Sequence, residues 1–256
     1  SRNAAILASI VPQVVQAAPD AVVLLVSNPV DIMTSIARAL HPNPSLVMGS
    51  GTILDSARFR QLIGERAGVN ARYVHSYVMG EHGDSSVMCW SGALIAGMPV
   101  ATFMSERQIP WGKKEMDDIA TSVRGAALAI IAGKHATYYG IGIAVNSLAD
   151  AIINDRHAVF TVSGDSPFDE VCLSLPRLVG RKGILETLMP PLNKEESLAL
   201  SQSAQILYDA QEGVLKDGKA ESAEGTISLA RHGLARLNQF EVVERSTSSV
   251  TLQLKS

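Results

Sequence analysis

The 256-residue sequence has few cysteines, few charged residues and no long apolar run. Its two cysteines, Cys89 and Cys172, are far apart in the chain, which argues against a disulfide framework or a cysteine-based metal site. Their scarcity is typical of a protein from a reducing compartment. No apolar run reaches the roughly 18 residues that a membrane-spanning helix needs. The sequence therefore predicts no membrane span and no metal site.

The charge content is also low. Asp, Glu, Lys and Arg make up 18% of the residues, below the usual share of about 25%, and the formal net charge is −3. This near balance lacks the basic excess that nucleic-acid binding needs, so we predict no nucleic-acid partner. The 20 glycines and 11 prolines are too few for a collagenous or low-complexity chain. Hydrophobic residues make up 46%, which predicts a globular chain with a large core and interfaces between subunits.

The first 48 residues alternate between helical and strand patterns. Apolar residues at helical spacing predict a helix over residues 3–17, and a continuous Val/Leu run predicts a strand buried on both faces over 21–26. Residues 31–40 predict a second helix, with Asp31 as its capping residue, and 46–48 a short strand. Helix, buried strand, helix and strand in this order form half of a parallel α/β layer.

From Thr52 onwards the pattern is mixed, which predicts an α+β part after the parallel strands. Four further helices are predicted over residues 52–67, 114–132, 137–154 and 193–212. Gly68 ends the first of them, and Thr137 caps the third. Two strands, 73–79 and 85–91, are predicted on either side of the turn 80–84. Two or three more strands are predicted between Arg156 and Leu188.

Residues 80–85 (GEHGDS) hold the densest group of reactive side chains, with His82 between two glycines at the predicted turn. Glycine lets the backbone approach a ligand closely. An imidazole has an ordinary pKa near 6.5, so it is the natural proton donor and acceptor at neutral pH. His82 is therefore the leading acid/base candidate, with a solvent-exposed turn histidine as the equally open alternative.

Asp55 and Arg58 are the second candidate pair. They are three residues apart on a predicted helix and therefore share a face. A surface ion pair worth under about 1 kcal/mol is the simpler interpretation. In the alternative, Asp55 accepts a hydrogen bond from a catalytic imidazole and fixes its tautomer, while Arg58 binds a substrate carboxylate with two hydrogen bonds.

Asn28 is a third candidate, because it follows the predicted strand 21–26. Ligands bind at the carboxyl ends of the strands in open α/β sheets, so its amide is placed to contact a substrate or cofactor. An Asx turn before Pro29 explains the residue equally well.

Three motifs together resemble the L-lactate dehydrogenases of the lactate/malate dehydrogenase family. Residues 26–31 (VSNPVD), 49–60 (GSGTILDSARFR) and 80–85 stand in the order and spacing of that family, and the resemblance runs over about residues 1–213. Three separated motifs in register are far more specific than any one of them. The implied fold is the remnant of a parallel Rossmann sheet followed by an α+β substrate domain.

The resemblance implies a role for each matching residue. His82 matches the family's proton donor and acceptor, Asp55 its carboxylate partner, and Arg58 the group that binds the substrate carboxylate. Asn28 matches the asparagine that touches both the substrate and the nicotinamide ribose. Three further residues match positions beside the substrate, under the nicotinamide ring and near the cofactor, respectively: Thr137, Ile141 and Ser50.

The implied reaction is reversible hydride transfer between NADH and pyruvate. Protonated His82 gives its proton to the carbonyl oxygen, and lactate oxidation reverses these steps through neutral His82. Glu81 and Thr137 look more like lactate than malate dehydrogenases, and malate or another 2-hydroxyacid stays open as the substrate. The resemblance also implies NAD as the cofactor and a cytoplasmic homo-oligomer of glycolysis, a dimer or tetramer.

The sequence departs from the family at its start. The family begins with a strand, a glycine-rich phosphate turn and a helix, followed by an acidic ribose ligand, and these are absent here. The loop that carries a carbonyl-polarising arginine is absent as well. We expect a chain that corresponds to the C-terminal two thirds of such an enzyme, exposes apolar surface on residues 6–15 and 21–26, and does not by itself reduce pyruvate at a useful rate.

These features predict three parts of the chain. Residues 1–48 are the remaining part of a dinucleotide-binding domain, residues 49–215 form the substrate domain, and residues 216–256 form a polar extension. The extension has a weak helical pattern at 227–237 and apolar alternation at Val250, Leu252 and Leu254, and we assign it no function. A non-catalytic fragment that acts as an assembly subunit is the alternative from a different class. The intact set of Asp55, Arg58, His82 and Thr137 speaks against it.

Arg60 and His75 match positions that bind fructose 1,6-bisphosphate between subunits in allosteric bacterial members. Members without allostery carry both residues too, so the pair forms only a possible anion site. We favour the alternative, an ion pair or interface contact, because short motif matches are weak signals.

Overall fold

The computed structural model of the chain describes residues 2–135, 137–168, 171–216, 220–222, 225–227, 240–246 and 249–254. The helices within these residues are α1 (Arg2–Ala17), α2 (Val30–Leu40), α3 (Ile53–Ala67), α4 (Val100–Glu106), α5 (Lys113–Lys134), α6 (Tyr139–Ile153) and α7 (Lys194–Lys216). The strands are β1 (Val23–Leu25), β2 (Val47–Gly49), β3 (Val74–His75), β4 (Val78–Met79), β5 (Val87–Met88), β6 (Leu94–Ile95), β7 (Met98–Pro99), β8 (Ala158–Asp165), β9 (Cys172–Gly180), β10 (Gly183–Thr187), β11 (Ala220–Ser222), β12 (Gly225–Ile227), β13 (Phe240–Ser246) and β14 (Ser249–Leu254).

The central sheet has five strands in the order β1-β2-β8-β9-β10. β1 and β2 run parallel, whereas β8, β9 and β10 follow as antiparallel neighbours. The two parts meet where Gly49 pairs with Ser163. A Cβ on Gly49 would lie 2.2 Å from Thr34 Oγ1, so this close approach of α2 to the sheet requires glycine. The predicted fold class, parallel strands followed by a mixed part, is confirmed.

Two buried clusters hold the helices on this sheet. Met33 and Ile36 of α2 pack with Leu173 and Leu175 of β9 in the first cluster. The second cluster joins α3, the small strands and α5, with Phe59 at its centre. Burial of each such side chain stabilises the fold by about 1.5–3 kcal/mol, so α2 and α3 are firmly placed on the two sides of the site described below.

The short strands β4 and β5 pair with each other and enclose residues 80–86, which form the loop that carries His82. The predicted single strand over 73–79 is wrong: it divides into β3, which pairs with β6, and β4, which pairs with β5. The predicted strand 85–91 shortens to β5. These strands belong to different small sheets, so no continuous ladder extends through Ser76 and Tyr77.

Most predicted helix positions are confirmed, including the end of α3 at Gly68, which adopts the left-handed conformation with φ +67°. Three details are wrong. In β1 only Leu25 is buried, because β1 is an end strand of the described sheet, and Val26 beyond it is 39% exposed. Asp31 does not cap α2, which begins at Val30 after Pro29. Thr137 does not cap α6, which begins at Tyr139.

In the polar extension, β11 pairs with β12 and β13 with β14. The alternating Val250, Leu252 and Leu254 lie on β14, as their pattern predicts. The helical prediction at 227–237 is wrong at Ile227, which ends β12, and 228–237 lie outside the described residues. None of the described helices is both long enough and apolar enough to cross a bilayer.

Candidate active site

The loop that carries His82 is fixed at its start to the central sheet. Gly80 exchanges two backbone hydrogen bonds with Ser174 of β9, each 2.9 Å long. Gly80 has φ +84°, and a Cβ there would lie 2.6 Å from Ser203 Oγ of α7. The backbone therefore needs glycine at this position both for its conformation and for the close packing of α7.

His82 and Asp55 form the centre of the site. His82 Nδ1 lies 2.6 Å from Asp55 Oδ2, and the two side chains are 28% and 11% exposed. With the Nδ1 proton donated to the carboxylate, the tautomer is fixed and Nε2 is left to exchange a proton with a ligand. The hydrogen bond to Asp55 is the main cause that raises the pKa of His82 above its ordinary value, against the opposing effect of burial.

Arg58 lies next to this pair. One guanidinium nitrogen is 3.5 Å from Asp55 Oδ1, one turn earlier on α3, and the Arg58 side chain is 23% exposed. A single contact of this length leaves most of the guanidinium donors available for an anion. The sequence-predicted trio of Asp55, Arg58 and His82 thus shares one site, and the interpretation of Asp55 and Arg58 as an isolated surface ion pair is wrong.

Asp31 belongs to the same site, although the sequence pointed to a different role. Its Oδ2 accepts a 2.8 Å hydrogen bond from the backbone N–H of His82. The residue is 2% exposed, and burial raises its pKa to about 6. Asp31 is a carboxylate in the first turn of a helix whose residues Val30–Arg38 are all buried, a place where charged side chains are rare unless they have a partner.

Ser203 of α7 is a second residue that the sequence did not reveal. Its hydroxyl accepts a 2.8 Å hydrogen bond from the backbone N–H of Glu81 and lies 3.0 Å from Ser85 Oγ. Glu81 in turn accepts a hydrogen bond from the Ser85 hydroxyl within the loop. The loop is therefore held by α2 on one side and by α7 on the other.

Asn28 and Ser50 follow the carboxyl ends of the adjacent parallel strands β1 and β2. Asn28 is exposed, and its backbone oxygen accepts a 3.2 Å hydrogen bond from Asn3 Nδ2. Ser50 is buried, and its backbone N–H donates to Leu25 O at 2.8 Å. The strand ends thus bring both residues to one edge of the sheet, as the sequence pattern indicates.

Thr137 and Ile141 lie around the start of α6. Thr137 is exposed, and no hydrogen bond joins its side chain to another described residue. Ile141 is partly buried in the first turn of α6. That turn packs on α3, because a Cβ on Gly140 would lie 3.4 Å from a methyl group of Leu54, the residue before Asp55. The structure therefore brings the start of α6 to α3, next to the residue that precedes Asp55.

Arg60 and His75, the possible anion site, lie on α3 and β3, respectively. One guanidinium nitrogen of Arg60 donates to the backbone oxygen of Ser76 at 3.3 Å, next to His75 in the chain. Burial lowers the pKa of Arg60, and His75 is exposed at the end of β3. This contact joins α3 to the segment between β3 and β4, and it is neither an ion pair nor a contact between subunits. Among the described residues, no group of three or more His, Cys, Asp or Glu side chains is arranged to hold a metal ion.

Comparison with known proteins identifies the family to which the chain is related. Residues 1–46 match the NAD binding domain of lactate/malate dehydrogenases, and residues 52–217 match the α/β C-terminal domain of the same enzymes. An L-lactate dehydrogenase from Deinococcus radiodurans is 52% identical over 206 residues, which are 80% of this chain and 67% of that protein. L-lactate dehydrogenases from Chloroherpeton thalassium and Thermus aquaticus are 49% and 47% identical, and the match covers 82% of this chain and 69% of each. The chain belongs to the lactate/malate dehydrogenase family.

Proposed function

We propose that this chain carries the substrate-binding and acid/base site of an NAD-dependent L-lactate dehydrogenase, which interconverts pyruvate and lactate. The observation that carries this proposal is the 2.6 Å hydrogen bond between His82 and Asp55 with the Arg58 guanidinium beside it. It combines a proton donor of fixed tautomer with a cation that pairs with a carboxylate. A 2-oxoacid offers a ketone oxygen to the proton donor and a carboxylate to the cation.

In the direction of pyruvate reduction, Arg58 binds the substrate carboxylate and thereby orients the ketone towards Nε2 of His82. Protonated His82 then donates this proton to the carbonyl oxygen as the alcohol forms. Asp55 stabilises the protonated imidazole before the transfer, whereas the positive charge of Arg58 favours loss of the proton. In lactate oxidation, neutral His82 takes the hydroxyl proton by the same path.

The residues at the carboxyl ends of β1 and β2 fit the nicotinamide end of the cofactor. Asn28 and Val26 are both exposed in the segment that follows β1, which therefore offers an amide group and an apolar side chain. When bound, NADH supplies the hydride that reduces the ketone carbon. We assign Asn28 to substrate and ribose, Ser50 and Ile141 to the cofactor, and Thr137 to the substrate side, and each assignment follows the motif that the residue matches.

We also propose the division into 1–48, 49–215 and 216–256, together with a cytoplasmic homo-oligomer that acts in glycolysis. The relatives' names support the metabolic role. Exposed apolar side chains on α1, such as Ile6 and Ile10, support an interface with a second copy. The central sheet runs through the boundary at residue 48, so we expect the first two parts to fold as one unit.

Replacement of His82 tests the function. In the protein encoded by the complete reading frame, we expect His82→Ala to lower the rate of pyruvate-dependent NADH oxidation by about 10²–10⁴-fold, since the proton donor is lost. The absorbance of NADH measures this rate. His157→Ala is the matched control, because His157 is an exposed histidine whose side chain is 58% accessible.

Three outcomes would count against the proposal. A His82→Ala rate close to wild type would reject the acid/base role. Equal losses in His82→Ala and His157→Ala would point to general damage. Faster turnover of oxaloacetate than of pyruvate by the wild-type protein would assign the chain to malate rather than lactate chemistry.

A further inference from the structure

The backbone of His82 is held by a buried carboxylate from another part of the fold. We propose that Asp31 is a positioning residue for the acid/base step: its carboxylate fixes the main chain of His82 and places a negative charge behind the imidazole. This inference rests on the proposed function for its catalytic meaning. Its structural part concerns only Asp31 and the loop 80–86.

The geometry places His82 between two carboxylates. Asp55 of α3 binds the ring, whereas Asp31 of α2 accepts the 2.8 Å hydrogen bond from the backbone N–H. Asp31 is 51 residues from His82 in sequence and three residues after Asn28. The first turn of α2 therefore links the strand end that carries Asn28 directly to the residue that moves the proton.

The charge of Asp31 has no structural explanation of its own. Asp31 Oδ1 is buried without a hydrogen-bond partner of normal geometry. Ser163 Oγ of β8 lies beside the carboxylate and lowers its pKa, but this hydroxyl is also buried without such a partner. An asparagine would accept the same hydrogen bond from His82 and would offer its amide N–H to Ser163. A neutral side chain would therefore satisfy the fold better than the carboxylate does.

The charge does act on His82. Asp31 is one of the groups that raise the pKa of His82, after Asp55, while burial and Arg58 lower it. The groups that face Asp31 itself are His82, Glu81 and Ser163. Burial raises the pKa of Asp31 to about 6, so it is ionised at neutral pH and its negative charge favours the imidazolium there.

The test is a pH titration of the His82 ring by NMR in the 256-residue chain, with the six histidines distinguished by His82→Gln. We expect the His82 ring to titrate at a lower pH in Asp31→Asn than in wild type. The variant loses the negative charge of residue 31 and keeps the hydrogen bond to the His82 backbone. Ser35→Ala is the matched control. Ser35 is also buried on α2 and accepts a 3.0 Å hydrogen bond from a backbone N–H, that of Cys172, away from the loop.

An activity measurement in the complete reading frame adds a second readout. We expect the alkaline limb of pyruvate reduction to move to lower pH in Asp31→Asn, with a rate at alkaline pH reduced roughly three- to tenfold and no such change in Ser35→Ala. Identical ring titrations in Asp31→Asn and wild type would overturn the inference. If wild type lacks pyruvate reduction, the proposed function fails, while the titration still decides the role of Asp31.

A third measurement covers the case in which Asp31→Asn does not fold. In His82→Gln the ring titration is removed, while the Asp31 carboxylate and the backbone N–H of residue 82 both remain. We expect the backbone amide of residue 82 to titrate there with a midpoint at or above about 6, since its hydrogen-bond acceptor is Asp31 and the loss of the His82 charge removes one of the effects that lower the pKa of Asp31. An amide shift that stays constant between pH 5 and pH 7 would contradict the proposed contact.

Discussion

The two carboxylates that contact His82, those of Asp55 and Asp31, differ in their partners and in their burial. Asp55 has two partners, the guanidinium of Arg58 and the imidazole of His82. Asp31 is fully enclosed, and only one of its oxygens has a hydrogen-bond partner. Burial therefore acts on Asp31 more strongly than its partners do, and it holds the pKa of Asp31 at about 6.

This difference predicts a pH-dependent gain in stability for Asp31→Asn. The folded pKa of Asp31, about 6, lies above its ordinary value of 3.8, so the wild-type fold loses stability as the pH rises through about 6. The loss reaches at most about 3 kcal/mol, from about 1.4 kcal/mol per pKa unit. We expect the advantage of Asp31→Asn over wild type in urea unfolding to grow from pH 4.5 to pH 8. If the unfolding free energies of Asp31→Asn and wild type differ by the same amount at pH 4.5 and at pH 8, Asp31 does not titrate in this range.

At the scale of single residues, the sequence predicted the trio of Asp55, Arg58 and His82, which the structure brings together, better than the residues that hold this trio in place. Asp55 and Arg58 share a helical face, and this local spacing is visible in the sequence. Asp31 and Ser203 act on residues 51 and 122 positions away, respectively. No local pattern encodes contacts of that separation, so Asp31 was interpreted as a helix cap and Ser203 was not identified.

At the scale of elements, α3 is joined to β4 and β8 by buried hydroxyl groups. Ser56 Oγ accepts a 2.9 Å hydrogen bond from the backbone N–H of Val78 and lies 2.8 Å from Thr161 Oγ1 of β8. Thr52 donates its hydroxyl proton to Val78 O at 2.5 Å. Because Ser56 follows Asp55 and Val78 lies in the strand that leads to His82, this network fixes the distance between the acid and the imidazole.

We predict that Ser56→Ala destabilises the fold by about 1–3 kcal/mol, because it leaves the buried N–H of Val78 without a partner. Urea unfolding measures the change. Ser122→Ala is the control, since Ser122 is an exposed serine on α5 whose hydroxyl bonds only to its own helix. A loss in Ser56→Ala that is no larger than the loss in Ser122→Ala would mean that the network adds little to stability.

The elements that the sequence placed correctly are those defined by local signals. The helix over 52–67 ends where Gly68 takes positive φ, and the apolar periodicity of 114–132 lies within α5. The strands of two residues depend instead on partners elsewhere in the chain, such as β3 on β6. Local patterns therefore overestimated the length of 73–79 and 85–91 as strands.

At the scale of the whole molecule, the site lies where the two matched parts of the chain meet. Asp31 belongs to the part that matches the NAD binding domain, whereas His82, Asp55 and Arg58 belong to the part that matches the C-terminal domain. The sheet is continuous between them through β2 and β8. Through Asp31 of α2, the part that matches the NAD binding domain is therefore in direct contact with His82, the residue that we propose as the proton donor.

The last prediction concerns association of the chain through α1. One face of α1 is buried, with Ala4, Ala8 and Val11 towards the core, whereas Ile6 and Ile10 on the other face are 43% and 46% exposed. Because these two isoleucines are one turn apart, they form a single apolar patch, which is typical of a contact surface.

We expect the 256-residue chain to associate in sedimentation experiments, and the double variant Ile6→Gln and Ile10→Gln to weaken this association at least about tenfold, since the apolar area buried on contact is lost. Ile206→Gln is the control, because Ile206 on α7 is equally exposed, at 48%, on a different helix. An equal effect of both changes would mean that exposed apolar surface in general drives the association. No effect of the double variant would place the interface away from α1.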